Sequence, residues 1–181
     1  MQLHELPADE AAVRRYVEEL WLPYHRELAA TAGRHELADD VDVVEEEVAF
    51  RLDTLDDDGH RTWIAVDDGE LDDDTREEEP VDLAEMDARF AGFVTTDVSE
   101  APSVFDRPDQ LRIGDVYVRE PYRGEGLART LVDRVADRAR EAGCAEVTLD
   151  VDVDNDRALA FYEKLGFETT RRTMAVAVED L

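Results

Sequence analysis

Basic side chains are scarce in this sequence. Of its 181 residues only 20 are Lys or Arg, against 48 Asp or Glu, so the formal net charge is −28, and the single lysine is Lys164. Nucleic acids and anionic membranes are bound through positively charged surfaces, so this composition argues against both as partners. The acidic residues are spread along the whole chain. This favours the hypothesis of a halophilic protein, whose carboxylates repel one another unless concentrated salt screens them.

Cysteine and long apolar runs are also nearly absent. The one cysteine, Cys144, follows a predicted helix and is interpreted as a small buried residue, and without a second cysteine no internal disulfide can form. No apolar run approaches the length of a membrane span, and the first residues lack the pattern of a secretory leader. The four histidines have no ligand-like spacing with each other or with Cys144. We therefore expect a cytoplasmic protein without a membrane span or a metal site.

The order of predicted elements indicates one α/β domain over residues 1–181. Strands are predicted near 1–6, at 62–66, 90–96, 111–118 and 147–153, with a final strand or bent pair over 167–178. Helices are predicted from Asp9 to about residue 28 (Pro23 kinking or breaking it), from Asp39 or Asp40 to Leu55, after Gly126, and from Asp154 or Asn155 to Leu165. Residues 67–80 are predicted to form an acidic, solvated loop. This order predicts a mixed, mostly antiparallel sheet with a central parallel strand–helix–strand crossover.

The stretch from Val116 to Arg129 carries the strongest functional signal. A strand ends at Val118, and two glycines, Gly124 and Gly126, then open a strongly amphipathic helix. The first N–H groups of a helix have no partner within the helix, and together with the helix dipole they attract phosphate. Glycines at such a junction let the backbone approach a ligand closely, although a tight turn alone would also explain them.

Two common phosphate-binding motifs do not fit this stretch. A Walker A loop ends in Gly-Lys-Ser/Thr, but here Leu127 and Ala128 follow Gly126. A dinucleotide fingerprint needs a small residue where this chain has Arg129. In addition, only 55 residues (181 − 126) follow Gly126, too few for the rest of a doubly wound sheet.

Two motifs in order resemble a known family. Arg123-Gly124-Glu125-Gly126-Leu127-Ala128 matches the Arg/Gln-x-x-Gly-x-Gly/Ala signature of the GNAT acetyltransferase superfamily. The second family signature is matched by residues 155–167, at the expected distance along the chain. The resemblance is detailed over roughly residues 111–178. It implies the GNAT acyl-CoA N-acyltransferase fold and an enzyme that moves an acetyl group from acetyl-CoA to a primary amine by direct attack in a ternary complex.

The resemblance also implies roles for individual residues. The pyrophosphate of acetyl-CoA would be cradled by the amides of Gly124, Gly126, Leu127, Ala128 and Arg129, with the Arg123 or Arg129 side chain nearby. Backbone groups of Val116 and Val118 would pair with the pantetheine arm between strands that end near Val118 and Val153. The Val118 N–H would also polarise the thioester carbonyl.

Three side chains complete the implied site. Tyr162 matches the family's tyrosine that protonates the departing CoA thiolate. Asn155 matches a residue that hydrogen-bonds the CoA arm, although helix capping alone would explain it. Asp115 would anchor the substrate ammonium or pass its proton to water, and an incidental exposed carboxylate is the rival interpretation. The acceptor, a small amine or a protein N-terminus, stays open, as do a homodimer and the alternative of a non-catalytic acyl-CoA-binding or sensing module.

Overall fold

The computed structural model describes residues 1–31, 35–67, 69 and 81–181. The predicted acidic loop, residues 67–80, lies almost wholly outside the described residues. The chain divides into two compact units, Met1–Asp150 and Val151–Leu181, and each is described by itself.

The first unit is built on a five-stranded sheet. Its strands are β1 (Gln2–Glu5), β2 (His60–Asp67), β3 (Arg89–Ser99), β4 (Gln110–Val118) and β5 (Glu146–Leu149), and they lie side by side in chain order. Strands β1 to β4 pair antiparallel, and β5 pairs parallel to β4 after a helical crossover. The predicted fold class, a mostly antiparallel sheet with one parallel crossover, is confirmed.

A long helix follows β1 and widens in its middle. It consists of α1 (Glu10–Tyr16), a π-helical turn (Val17–Trp21) and α2 (Leu22–Thr31). Asp9 caps its start as predicted, because the carboxylate accepts a hydrogen bond from the Ala12 N–H at 3.0 Å. Pro23 does not break the helix. The wide turn immediately before it accommodates a residue that cannot donate a backbone hydrogen bond.

Two further helices complete the first unit. Helix α3 (Val43–Leu55) begins at the Asp42 cap, a few residues later than predicted, since the Asp42 carboxylate accepts from the Glu45 N–H at 3.2 Å. Helix α4 (Leu127–Glu141) connects β4 to β5. It ends as predicted at Gly143, which adopts a φ of 72°.

The helices cover both faces of the sheet. On one face the α1–α2 helix and α3 bury an apolar core that includes Tyr16, Leu20, Ile64 and Phe93. Successive strand residues face opposite sides, so Trp63 faces away from Ile64. The guanidinium of Arg134, on α4, lies over the Trp63 ring at 4.7 Å, which places α4 on the other face.

Two sequence predictions near the C-terminal end need correction. Strand β5 stops at Leu149 rather than Val153, and residues 167–178 form no strand in the structure. A segment of alternating apolar residues forms a strand only where a neighbouring strand pairs with its backbone hydrogen-bonding groups. The second unit contains no strand that could do so. That unit instead holds α5 (Asp156–Lys164) and a 3₁₀ turn (Val178–Asp180).

Cys144 is buried, as predicted, and its burial raises the pKa of the thiol above the usual value. Among the described residues, no helix has both the length and the apolar character needed to cross a membrane.

Candidate functional site

Strand β4 has a backbone edge without a partner next to the glycine turn. Its pairing with β5 ends at Ile113 opposite Leu149, whereas its pairing with β3 continues to Val118 opposite Gly92. In the part of the chain that the structure describes, residues 114–118 therefore have a strand on one side only. The open side is an edge on which an extended ligand can add hydrogen bonds like an extra strand.

The direction of the backbone groups on this edge follows from two hydrogen bonds. The N–H groups of Asp115 and Arg119 point toward β3, where they donate to Thr95 Oγ1 at 2.8 Å and to the Ala91 carbonyl at 2.9 Å. Backbone groups alternate along an antiparallel strand. The N–H groups of Val116 and Val118 therefore point toward the open edge, as a pantetheine-binding role requires.

The glycine turn leads from β4 into α4 with an open backbone. Gly124 and Gly126 have φ values of 86° and 92°, a conformation that strongly favours glycine, and a Cβ on either would meet no atom within 4 Å. Gly126 caps α4 without any side-chain hydrogen bond. Within the described residues, no acceptor pairs with the N–H groups of Gly124, Glu125, Gly126, Leu127 and Ala128. These amides form a concentrated set of donors at a helix N-terminus, which suits an anion.

The backbone N–H and the side chain of Arg129 are less available to an anion. Its N–H donates to the Gly126 carbonyl at 2.9 Å, and its side-chain Nε pairs with Asp133 at 2.8 Å. The donors ready for an anion in this structure are therefore the amides that precede it.

Arg123 connects the turn to β4 and α2. Its Nε donates to the Val118 carbonyl at 2.8 Å, and its Nη2 pairs with Glu27 at 2.5 Å. The other Glu27 carboxylate oxygen accepts from the Tyr117 hydroxyl at 2.7 Å. Burial, followed by this contact, raises the pKa of Tyr117 to about 12. Because the Val118 carbonyl already accepts from Arg123, the Val118 N–H is the backbone group of this residue that is left for a ligand. Sequence reasoning missed Glu27, whose role depends on a contact across 96 residues.

A β-bulge turns Asp115 toward the helices. Val94 lies opposite Val116 and Thr96 opposite Ile113, so β4 carries one extra residue at Gly114–Asp115. Bulges change which face a side chain occupies. Asp115 lies on the face covered by α3, where its carboxylate is 3.8 Å from the Arg51 guanidinium.

Arg51 is the centre of a partly buried charged group. It is only 8% exposed, and its Nε pairs with Glu47 at 2.5 Å. Burial raises the pKa of Glu47 above its usual value despite this ion pair. Sequence reasoning did not single out either residue. The sequence did contain a signal for Arg51, because it lies three residues after Val48 and therefore on the apolar stripe of a predicted helix.

The remaining predicted residues, Asn155 and Tyr162, belong to the second unit. The Asn155 side-chain oxygen accepts from the Ala158 N–H at 3.1 Å, so the helix-capping prediction is confirmed. Tyr162 lies on α5 with its ring 5.2 Å from that of Phe161 and 5.4 Å from that of Phe167. Among the described residues, no group of three or more His, Cys, Asp or Glu side chains is arranged to hold a metal.

Comparison with known proteins decides the family. The model of the acetyltransferase (GNAT) family matches residues 14–167, most of the chain. The chain belongs to this family. The matched range includes the glycine turn and the open edge of β4 in the first unit, and the α5 helix in the second unit.

Similar proteins agree with this assignment. N-alpha-acetyltransferase MAK3 of Arabidopsis thaliana is 47% identical over 60 residues, which are 33% of this chain and 32% of that protein. The chain spans less than half the length of further curated relatives that it matches.

Solved structures share the fold. A tetramutant of the BH1408 protein from Bacillus halodurans superposes with a TM-score of 0.73 at 18% identity, covering 98% of this chain and 100% of that one. AAC(6')-Iy, in complex with the bisubstrate analog CoA-S-monomethyl-acetylneamine, gives a TM-score of 0.61 at 16% identity, covering 97% and 96%.

Proposed function

We propose that this protein transfers the acetyl group of acetyl-CoA to a primary amine. The observation that carries the proposal is the juxtaposition of two backbone donor sets. The unpaired amides of the glycine turn suit a pyrophosphate, and the open edge of β4 beside them suits an extended amide-bearing arm. CoA contains both groups in one molecule, and its arm is uncharged, so a strongly acidic protein can bind it through these amides.

The backbone would divide the work of binding. The pyrophosphate would accept hydrogen bonds from the amides of Gly124, Gly126, Leu127 and Ala128. The Arg129 amide would join them if its hydrogen bond to the Gly126 carbonyl opens. Val116 and Val118 would pair with the pantetheine arm along the open edge. The Arg123 guanidinium, held on Glu27, would act on the phosphates through its positive charge at short range.

Three groups would serve the chemistry, in which the acceptor nitrogen attacks the thioester directly and CoA leaves. The Val118 N–H would stabilise the negative charge that develops on the thioester oxygen. Tyr162 would donate its proton to the departing thiolate. Asp115, whose carboxylate lies 3.8 Å from the Arg51 guanidinium, would anchor the substrate ammonium or pass its proton to water, so that the neutral nitrogen can attack.

Residues 1–181 would act as one domain in this proposal. The family match runs across the boundary between the two compact units, at Asp150 and Val151. Asn155, beyond its capping bond, would hydrogen-bond the CoA arm, as the family resemblance implies. The rival function, a non-catalytic acyl-CoA-binding or sensing module, would use the same turn and edge without Tyr162 or an acceptor.

Binding of acetyl-CoA can be tested by thermal unfolding of the protein in molar KCl. A ligand present at about 100 times its Kd adds about 2.7 kcal/mol to the free energy of unfolding. We expect acetyl-CoA to raise the unfolding temperature, and ATP and NAD at the same concentration to leave it nearly unchanged. An acetyl-CoA effect no larger than that of ATP would remove the basis of the proposal.

We also propose that the protein is cytoplasmic and halophilic, on the basis of its composition. At a net charge of −28 the folded chain repels itself, and the screening length falls from about 10 Å in 0.1 M salt to about 3 Å in 1 M. The unfolding temperature should therefore rise steeply from dilute buffer to molar KCl at neutral pH. Sucrose of equal osmolality, which does not screen charge, should raise it much less. Full stability in dilute buffer would refute the halophilic assignment.

A further inference from the structure

Three polar atoms on the α1–α2 helix are buried without a hydrogen-bond partner among the described residues. They are the Tyr16 hydroxyl, Trp21 Nε1 and His25 Nε2. Tyr16 and Trp21 are only 0% and 7% exposed. A buried polar atom left unpaired is destabilising, so three of them on one helix call for a physical reason.

Ring contacts connect these residues to β4. The Trp21 and His25 rings lie 4.2 Å apart, the His25 and Tyr24 rings 4.8 Å, and the Tyr24 and Tyr117 rings 5.5 Å. Tyr117 stands between Val116 and Val118, the residues that border the open edge. Tyr16 directly precedes the π-helical turn Val17–Trp21, and Trp21 is its last residue; such turns recur at functional sites.

The charged group lies on the same face of the sheet. Asp115 is two residues before Tyr117 on β4, and the bulge turns both toward the helices, where Asp115 meets Arg51 and Tyr117 meets Tyr24. The carboxylates of Asp115 and Glu47 share the single guanidinium of Arg51, so the group carries a net charge of −1 when both are ionised. Such a surplus of negative charge attracts a cation. The Glu47 and Asp115 side chains are 14% and 22% exposed.

We propose that Trp21 and Glu47 set the specificity of the acceptor subsite on this face, and that the acceptor is a cationic primary amine with a hydrogen-bond-accepting group close to the nitrogen. The proposal rests on the proposed transfer function and names its substrate class. The Trp21 indole can only donate, so the ligand must offer an accepting oxygen or nitrogen. Glu47 and Asp115 select the positive charge, and they disfavour an amine that carries a carboxylate or phosphate.

Three small amines test this class by binding rather than by turnover. Glycinamide has an ammonium and a carbonyl oxygen, propylamine has the ammonium alone, and glycine has an ammonium next to a carboxylate. Calorimetric titration of CoA-saturated protein in molar KCl should give glycinamide a Kd at least about 10-fold below that of either other amine. Equal affinity for the three amines would overturn the proposal.

Two substitutions assign the selectivity to residues. Glu47→Gln should weaken glycinamide and propylamine alike by about 10-fold or more, because it removes the surplus charge. Trp21→Phe keeps an aromatic ring but removes the indole N–H, so it should lower the preference for glycinamide over propylamine. Glu46→Gln, at the exposed neighbouring carboxylate of α3, is the matched control and should change neither Kd.

These titrations distinguish a failure of the acceptor subsite from a failure of the proposed acetyl transfer. Wild-type amine affinities in Glu47→Gln, or an unchanged glycinamide preference in Trp21→Phe, would overturn the subsite while leaving the acetyl-CoA stabilisation intact. The expected affinity changes would support the subsite even if no acetyl group were transferred, since the titration contains no acetyl donor.

Discussion

Replacing Tyr162 by Phe should lower the turnover number by about 100-fold or more while leaving the Kd for acetyl-CoA nearly unchanged. The substitution keeps the aromatic contacts with Phe161 and Phe167 but removes the only atom that can donate a proton. Loss of a positioned general acid typically costs 10²–10⁴-fold in rate. The measurement is thiol release at saturating acetyl-CoA and amine, with acetyl-CoA affinity determined separately by titration.

Tyr122→Phe provides the matched control. This tyrosine precedes the glycine turn, and its hydroxyl donates to Asp67 at 2.9 Å, outside the proposed chemistry. The control should retain turnover within a few-fold of the wild type. If Tyr162→Phe also turned over at the wild-type rate under conditions where chemistry limits, Tyr162 would have no part in proton transfer.

Replacing Arg15 by Ala should lower the free energy of unfolding by about 3 kcal/mol. The Arg15 guanidinium donates to the carbonyls of Leu83, Met86 and Ala88 at 2.9, 2.9 and 2.5 Å, and it lies 4.3 Å over the Phe90 ring. Removing it leaves three part-buried carbonyls without their charged donor, and an unsatisfied buried group costs about 1–3 kcal/mol. For a chain of this size the unfolding temperature should fall by about 6–12 °C.

The adjacent arginine supplies the control for this substitution. Within the part of the chain that the structure describes, Arg14 pairs with the exposed carboxylates of Glu10 and Glu45 at the surface. Exposed ion pairs contribute little, particularly in the concentrated salt used for the measurement. Arg14→Ala should therefore unfold close to the wild-type temperature. Equal losses for Arg14→Ala and Arg15→Ala would show that the backbone contacts of Arg15 do not hold the 83–88 segment.

The parts of the structure that depend on neighbouring residues could be predicted from the sequence. The caps at Asp9 and Asn155 and the C-terminal end of α4 at Gly143 involve contacts within three or four residues. The glycine turn after Val118 is equally local, which is why its anion-binding character could be inferred before any contact was known.

The parts that depend on distant contacts could not be predicted. The bulge at Gly114–Asp115 exists only in the pairing of β4 with β3, so the sequence gives no sign of which face Asp115 occupies. Glu27 reaches Arg123 across 96 residues. The apolar alternation in residues 167–178 predicted a strand, but alternation does not specify a partner to pair with.

Acetyl transfer itself is the most direct test of this account. The protein in molar KCl would be incubated with acetyl-CoA and a panel of amines that includes glycinamide and a short peptide with a free N-terminus. Free thiol and the mass of each amine would then be followed. The account predicts thiol release that requires both protein and amine, with an equal amount of product heavier by one acetyl group. Stabilisation by acetyl-CoA without acetylation of any amine above the protein-free rate would contradict it and leave a non-catalytic acyl-CoA-binding module.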